Sequence, residues 1–183
     1  SPCSYHDDYS GSKASKEMEL CGIPIRVKNA FEPDHPGTII SCDYVSPEPR
    51  VEMICGRNDL EAIEVMDPEM VGHVGYDYYL MQSLVDTGIS YITKTTNANT
   101  ITHFVPQKNR RLEECIDLIH QRMPNATVSR NSVAIVSVIG SNMSIPGFLS
   151  KAASALHQAG INVLALAQST RQVNMQFIVS RSD

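Results

Sequence analysis

Tryptophan is absent from the 183 residues, aromatics make up 6%, and charged side chains only 19%, against roughly 25% charged in an average soluble domain. With 42% hydrophobic residues, that composition excludes a disordered or heavily charged chain and leaves a soluble globular one. A cationic excess is missing too. Fifteen Lys and Arg against twenty Asp and Glu give a net charge of -5, the wrong sign for a domain that lives on phosphate-backbone contacts. The five cysteines, at 3, 21, 42, 55 and 115, form no CxxC pair. They make neither a zinc knuckle nor a disulfide framework, and read as reduced thiols of a cytoplasmic protein. No run approaches the ~18 apolar residues of a membrane span. Ser1-Pro2-Cys3-Ser4 has no basic-then-apolar leader, and the lack of an initiating Met reads as part of a longer chain. Nucleic acid and membrane are therefore not expected partners. GxxxxGK[ST] and GxGxxG loops are also missing, so no nucleotide site, catalytic residue or metal site is expected within the chain. His6-Asp7-Asp8 reads as a solvated terminus rather than a ligand set.

What is present is a repeat. Gly11-Ser12 breaks the polar start before a short helix over 13–20, Ile23 to Val27 alternates as a strand, Glu32 to Gly37 is dense in turn formers before Thr38-Ile39-Ile40, and Ser46-Pro47-Glu48-Pro49 reads as a linker. Beyond it, a slide of 72 positions superposes Ala62-Ile63 on Ala134-Ile135, Gly75-Tyr76 on Gly147-Phe148, Leu84 on Leu156 and Gly88-Ile89 on Gly160-Ile161. Each copy reads strand, glycine turn, helix, glycine, strand, strand. Val133 to Ile139 is a β-branched strand. Phe148, Ala152 and Leu156, widened by Leu149, Ala153 and Ala159, make a helix stripe for the sheet. Ile161 to Ala167 and Val173 to Val179 are the following strands. The first copy continues with a helix from Arg110 to Met123 and a strand at Ala126 to Ser129, completing βαββαβ. The second copy ends after its third strand, which leaves part of one sheet face uncovered and is expected to mean either a unit cut short or one covered by a partner. The expected class is α+β, two ferredoxin-like units in tandem.

The glycine turns carry the functional signal. Gly72, Gly75 and Gly147 let the backbone N–H groups of a helix N-terminus face outward, a ready site for a carboxylate. The turns Thr96-Asn97-Ala98-Asn99 and Gln168-Ser169-Thr170-Arg171-Gln172-Val173-Asn174 offer amides and carbonyls suited to an ammonium. Together they suit an amino-acid zwitterion. Equally, the glycines can simply shape a tight connection while the amides finish strand ends, and spacing does not choose between the two. His73 and Asp77 stand four apart, and an enzyme built on His73, Asp77 and His103 lacks any nucleophile and base within reach of each other.

Asn142-Met143-Ser144-Ile145-Pro146-Gly147-Phe148, Ala159-Gly160-Ile161-Asn162-Val163 and Gln168 to Phe177 resemble, in wording and in spacing, the ACT domain of bacterial aspartate kinases. Gly22 to Phe31, followed by His35-Pro36-Gly37-Thr38, is similar to the segment that ends the kinase domain in that family. The resemblance implies a kinase-domain tail over 1–45, a first ACT domain over 50–130 and a second, cut short, over 131–183. It further implies a regulatory region that binds an amino-acid effector and forms a homodimer. Catalysis would lie upstream, where the family phosphorylates the side-chain carboxylate of L-aspartate with ATP and Mg. Carried onto this chain, the effector residues are Met70, Gly72, His73, Gly75, Tyr76, Asn97 and Asn99 in the first copy. In the second they are Asn142, Met143, Ile145, Pro146, Gly147, Gln168, Ser169, Gln172, Val173 and Asn174. No Asp or Glu falls between Tyr91 and Val105 or between Ile161 and Val179, so threonine is expected over lysine, whose distal ammonium needs an acidic partner. Gly147→Val is expected to abolish binding with little loss of fold. The alternative is an effector-free ACT scaffold for protein association.

Overall fold

The computed structural model describes residues 21–41 and 44–183. The helix expected over 13–20 and the His6-Asp7-Asp8 cluster lie outside the described residues. β1 (Ile25–Val27) and β2 (Thr38–Ile40) form a separate antiparallel pair. All other strands belong to one antiparallel sheet in the order β4-β5-β3-β6-β8-β7. They are β3 (Arg50–Met66), β4 (Thr93–Thr96), β5 (Thr100–Pro106), β6 (Thr127–Ser141), β7 (Val163–Gln168) and β8 (Asn174–Ser180). Among the described residues, three α-helices complete the fold: α1 (Tyr76–Thr87), α2 (Leu112–Arg122) and α3 (Phe148–Gln158).

The two repeats share their central strands. β3, with 17 residues, and β6, with 15, pair over nearly their whole length. Residues 60–66 of β3 and 127–133 of β6 lie beside β5 and β4, which with α1 and α2 make the first βαββαβ unit. The other half of β6 lies between β8 and residues 50–57 of β3. The position of a fourth strand in the second unit is thus taken by the start of β3, and that unit has the single helix α3. The two strands expected at Ala126 to Ser129 and Val133 to Ile139 are one continuous strand, crossing the 130/131 boundary inside β6.

A register shift between Arg57 and Leu60 marks the crossover in β3. One extra residue there reverses which alternate side chains face each way and adds bend and twist. The sheet curls until its edge strands β4 and β7 approach each other. Ser46, expected in a free linker, is buried, and its N–H donates to Ser141 Oγ at 2.8 Å.

Each unit packs its helices on the same side of the sheet. In the first, Leu80 and Leu84 of α1 and Leu112, Cys115 and Ile119 of α2 close over Ile63, Val65, Ile101 and Val105. Arg122 ties the helices together, donating to Ser83 Oγ at 2.9 Å and pairing with Asp86 at 2.5 Å. In the second unit Phe148, Ala152 and Leu156 pack on Val138, Met143, Met175 and Phe177. Leu149, Ala153 and Ala159, expected to widen that stripe, are exposed, and no residue of α3 is fully buried. A lone helix has no neighbour against which to bury its flanks.

Candidate functional site

In each unit the loop entering the helix is joined to the turn between the next two strands by one backbone hydrogen bond. Asp67 N–H donates to Asn99 O at 2.9 Å in the first unit, and Gly140 N–H donates to Val173 O at 3.0 Å in the second. These two bonds tie the end of the strand before each helix to the turn between the next two strands of the same unit. Both helices start on a left-handed glycine, Gly75 at φ 78° and Gly147 at φ 106°, and neither has a side-chain cap. The first N–H groups of α1 and α3 consequently carry no side-chain acceptor, the condition for holding a carboxylate. Gly147→Val is a poor probe of that site, contrary to expectation. A Cβ there meets open space, but a β-branched residue at φ 106° is strained.

The loop residues divide by environment. Met70 and Met143 turn inward to the two cores, Met143 lying so close over Gly140 that a Cβ there would collide with it. Gly72, His73, Asn142, Ile145 and Pro146 are exposed. His73 sits edge-on to Tyr76 with centroids 5.9 Å apart. The Tyr76 hydroxyl donates to Asp67 Oδ2, while Asp67 Oδ1 accepts from Glu69 N–H at 2.9 Å. Together these hold the Asp67 carboxyl below its usual range, the tyrosine first and the backbone N–H second. Burial, then the carboxylate beside it, pushes the Tyr76 phenol upward. Asn142 and Gln172 hold left-handed backbone at φ 54° and 51°, a conformation that costs energy in a residue other than glycine.

On the helix-free face the curl leaves a cleft of about 1080 Å³. Asn97, Gln168, Ser169 and Asn174 line it, with the small side chains of Ala62, Ala165 and Ala167. A second cavity of about 310 Å³ lies alongside, and Asn174 reaches both. Its Oδ1 is buried without a hydrogen-bond partner. Neither cavity is lined by the pre-helix loops or by Asn99, Gln172 and Val173.

A cluster that the sequence reading set aside sits under the start of α1. Asp77 pairs with Lys94 at 2.5 Å, and Lys94 is the cross-strand partner of His103. His103 is wholly buried, its ring edge-on to Tyr91 at 5.0 Å, and neither ring nitrogen has a partner. Burial pushes its pKa down to about 4, with the Asp77 carboxylate opposing the shift in part. The alternation Ile101, His103, Val105 put this histidine on the core face, a signal available in the sequence. The pairing of Asp77 with Lys94 was not, since it depends on how the helix lies over the sheet. Among the described residues no group of three or more His, Cys, Asp or Glu side chains could hold a metal ion, and no helix is long and apolar enough to cross a membrane.

Two ferredoxin-like units sharing strands, each with a glycine-led helix, make the arrangement of paired ACT domains. Residues 136–183 match the family model described as ACT domain. An aspartate kinase of Stutzerimonas stutzeri strain A1501 is 41% identical over 171 residues, 93% of this chain and 36% of that protein. The aspartate kinase of Clostridium acetobutylicum superposes with a TM-score of 0.80 at 20% identity, covering 97% of this chain and 41% of its own. The regulatory subunit of aspartate kinase from Thermus flavus gives 0.64 at 17% identity, over 72% and 90%. E. coli aspartokinase III, solved in complex with lysine and aspartate, gives 0.71 at 16% identity, over 96% and 41%. Over nearly its whole length the chain matches the regulatory region of aspartate kinases, and it spans about a third of the length of the Stutzerimonas relative.

Proposed function

We propose that this chain binds an amino-acid effector for feedback control of an aspartate kinase and mediates its self-association. The parent reaction would convert ATP and L-aspartate to 4-phospho-L-aspartate in the cytoplasm, with ATP and Mg held by residues outside this chain. The observation that carries the effector reading is the duplicated arrangement of uncapped helix N-terminus and strand turn, tied by the Asp67–Asn99 and Gly140–Val173 hydrogen bonds. Its carboxylate-binding N–H groups and neighbouring amides suit the two ends of a zwitterion. The strained Asn142 and Gln172 flank the second such site, and strain of this kind concentrates where a ligand is held. E. coli aspartokinase III, with lysine bound, supports an amino acid as the ligand class.

A neutral effector such as threonine is favoured over lysine. Of the acids nearest the first site, Asp67 is engaged by the Tyr76 hydroxyl and the Glu69 N–H, and Asp77 Oδ2 by Lys94. No acidic residue lies on either amide-bearing turn to meet a distal ammonium. Self-association is supported by the edge strands β4 and β7 and by exposed Leu164, Leu166, Leu149 and Ile145. The test is the ATP- and aspartate-dependent release of ADP by the protein containing this region. Threonine should inhibit it, and release that no amino acid alters would favour the effector-free scaffold.

A further inference from the structure

The smaller cavity, of about 310 Å³, lies where the two units meet. The second unit supplies Ile135, Ser137 and Ile139 of β6 with Asn174 and Gln176 of β8. These alternate with Val138, Met175 and Phe177, which turn to the other face of the sheet and meet α3. The first unit supplies Tyr91 and Ile92, from the segment before β4, and β3 supplies a residue from either side of its register shift, Arg57 and Leu60. Pockets concentrate at such junctions between packed units. The loops before α1 and α3 take no part in this one.

The lining decides the charge of an occupant. Arg57 is the one charged residue there, and its Nε and Nη2 donate to the two carboxylate oxygens of Asp59 at 2.6 and 3.3 Å. No Asp or Glu lines the cavity. An amino-acid zwitterion would carry its ammonium out of water with no acid to meet it, a cost that nothing in the cavity offsets. An anion would have to compete with Asp59 for the guanidinium. An uncharged molecule meets neither obstacle.

Polarity is confined to one wall. Ser137 and Gln176 are direct cross-strand partners, and Asn174, opposite Ile139, is the next residue on the same face. Asn174 Oδ1 is buried without a hydrogen-bond partner, and a buried acceptor of this kind calls for an N–H or O–H. The Asn and Gln amides each set an acceptor beside a donor, the complement of a ring edge that carries N–H next to C=O. Leu60, Tyr91, Ile92 and Ile135 make the remaining surface apolar, which suits the faces of a flat ring. We infer that this cavity is a ligand site separate from the helix starts, taking an uncharged, flat lactam-type heterocycle whose N–H and C=O edge meets Asn174 and Gln176. The inference stands apart from the effector reading above.

Quinolin-2-one and its N-methyl derivative are the decisive probes, since both are neutral and flat and differ at the single N–H. Titrated into the chain and followed by nuclear magnetic resonance, quinolin-2-one should bind saturably and move the side-chain amide of Gln176 and the ring of Tyr91. The shift should extend to His103, whose ring stands edge-on to Tyr91 at 5.0 Å. The N-methyl compound should bind roughly 10-fold more weakly or worse, because it leaves the amide wall unpaired. Gln176→Leu should bring the two probes within about 3-fold of each other, while the resonances of the unaltered chain locate the site whether or not that variant folds. Equal affinity for the two probes overturns the inference. So does binding that moves the starts of α1 and α3 in place of Gln176 and Tyr91. Binding of neither probe assigns the Asn174 acceptor to a water molecule and overturns it as well, and each of these results leaves the amino-acid effector reading standing.

Discussion

Arg181, just past the end of β8, donates to the carbonyl of Leu60 at 2.6 Å, where β3 bulges between the two units. Its guanidinium also lies 3.6 Å from Glu61, a carboxylate buried to within a few per cent of its surface, which accepts from Ser132 Oγ at 3.0 Å and meets Arg130 at 3.4 Å. Arg130 in turn pairs with Glu113 of α2 at 2.5 Å. The last strand of the second unit is thereby fastened to the bulge and to a helix of the first. Glu61→Ala should cost about 2 kcal/mol in urea unfolding. That is below the ~3–5 kcal/mol of a fully buried pair, because both arginines are partly in water. A loss under about 0.5 kcal/mol would mean that the network does not bind the units together.

Acid should unfold the first unit in a way traceable to one side chain. His103 has its folded pKa depressed to about 4 from an ordinary value near 6.5. The unfolded chain therefore binds the extra proton first. Stability is fully present above pH 6.5 and falls as pH drops from 6.5 toward 4, by up to about 3 kcal/mol. Thermal unfolding followed from pH 7 to 4.5 should show this slope in the unaltered chain and lose it in His103→Phe. An unchanged slope in the variant would refute the assignment.

Tyr76 and Asp67 make a second acid-sensitive contact, of opposite character. The Asp67 carboxyl is held below its usual range by the tyrosine hydroxyl, so this contact stabilises above the ordinary carboxyl pKa and is lost only as pH falls through the lowered one. Tyr76→Phe should cost about 1 kcal/mol at neutral pH and raise the Asp67 pKa, followed by carboxyl carbon resonances. An unmoved Asp67 titration would show that Glu69 N–H alone sets it.

Gly147→Val should lower stability by about 1–2 kcal/mol, the cost of a left-handed conformation in a residue with a Cβ, although no neighbour is struck. Unfolding in urea measures this directly. A variant as stable as the unaltered chain would mean that the loop relaxes to an ordinary backbone at no cost.

The repeat, the helices and the glycine turns were legible because each rests on local signals. Phe148, Ala152 and Leu156 keep helical spacing, and Gly75, Gly147 and Gly160 all adopt the positive φ that only glycine takes freely. The shared strands were not legible. Arg57-Asn58-Asp59 interrupts β3, and Arg130-Asn131-Ser132 interrupts β6. Each polar run reads as a loop until it is seen that the runs lie where one unit passes into the other. There Arg57 pairs with Asp59 at 2.6 Å, and Arg130 and Ser132 converge on Glu61. For the same reason the start of β3 gave no sign of serving the second unit. Its partner Ile139 lies 86 positions beyond Met53, and such pairing is decided by tertiary packing rather than by the local residues.

Calorimetric titration of the chain with threonine and with lysine, side by side, decides whether this region holds a neutral amino acid at the helix starts. Saturable heat is expected with threonine, accompanied by a rise in melting temperature that grows with ligand concentration, and weaker or no binding of lysine. Tight binding of lysine with none of threonine, or no heat with either, would contradict it.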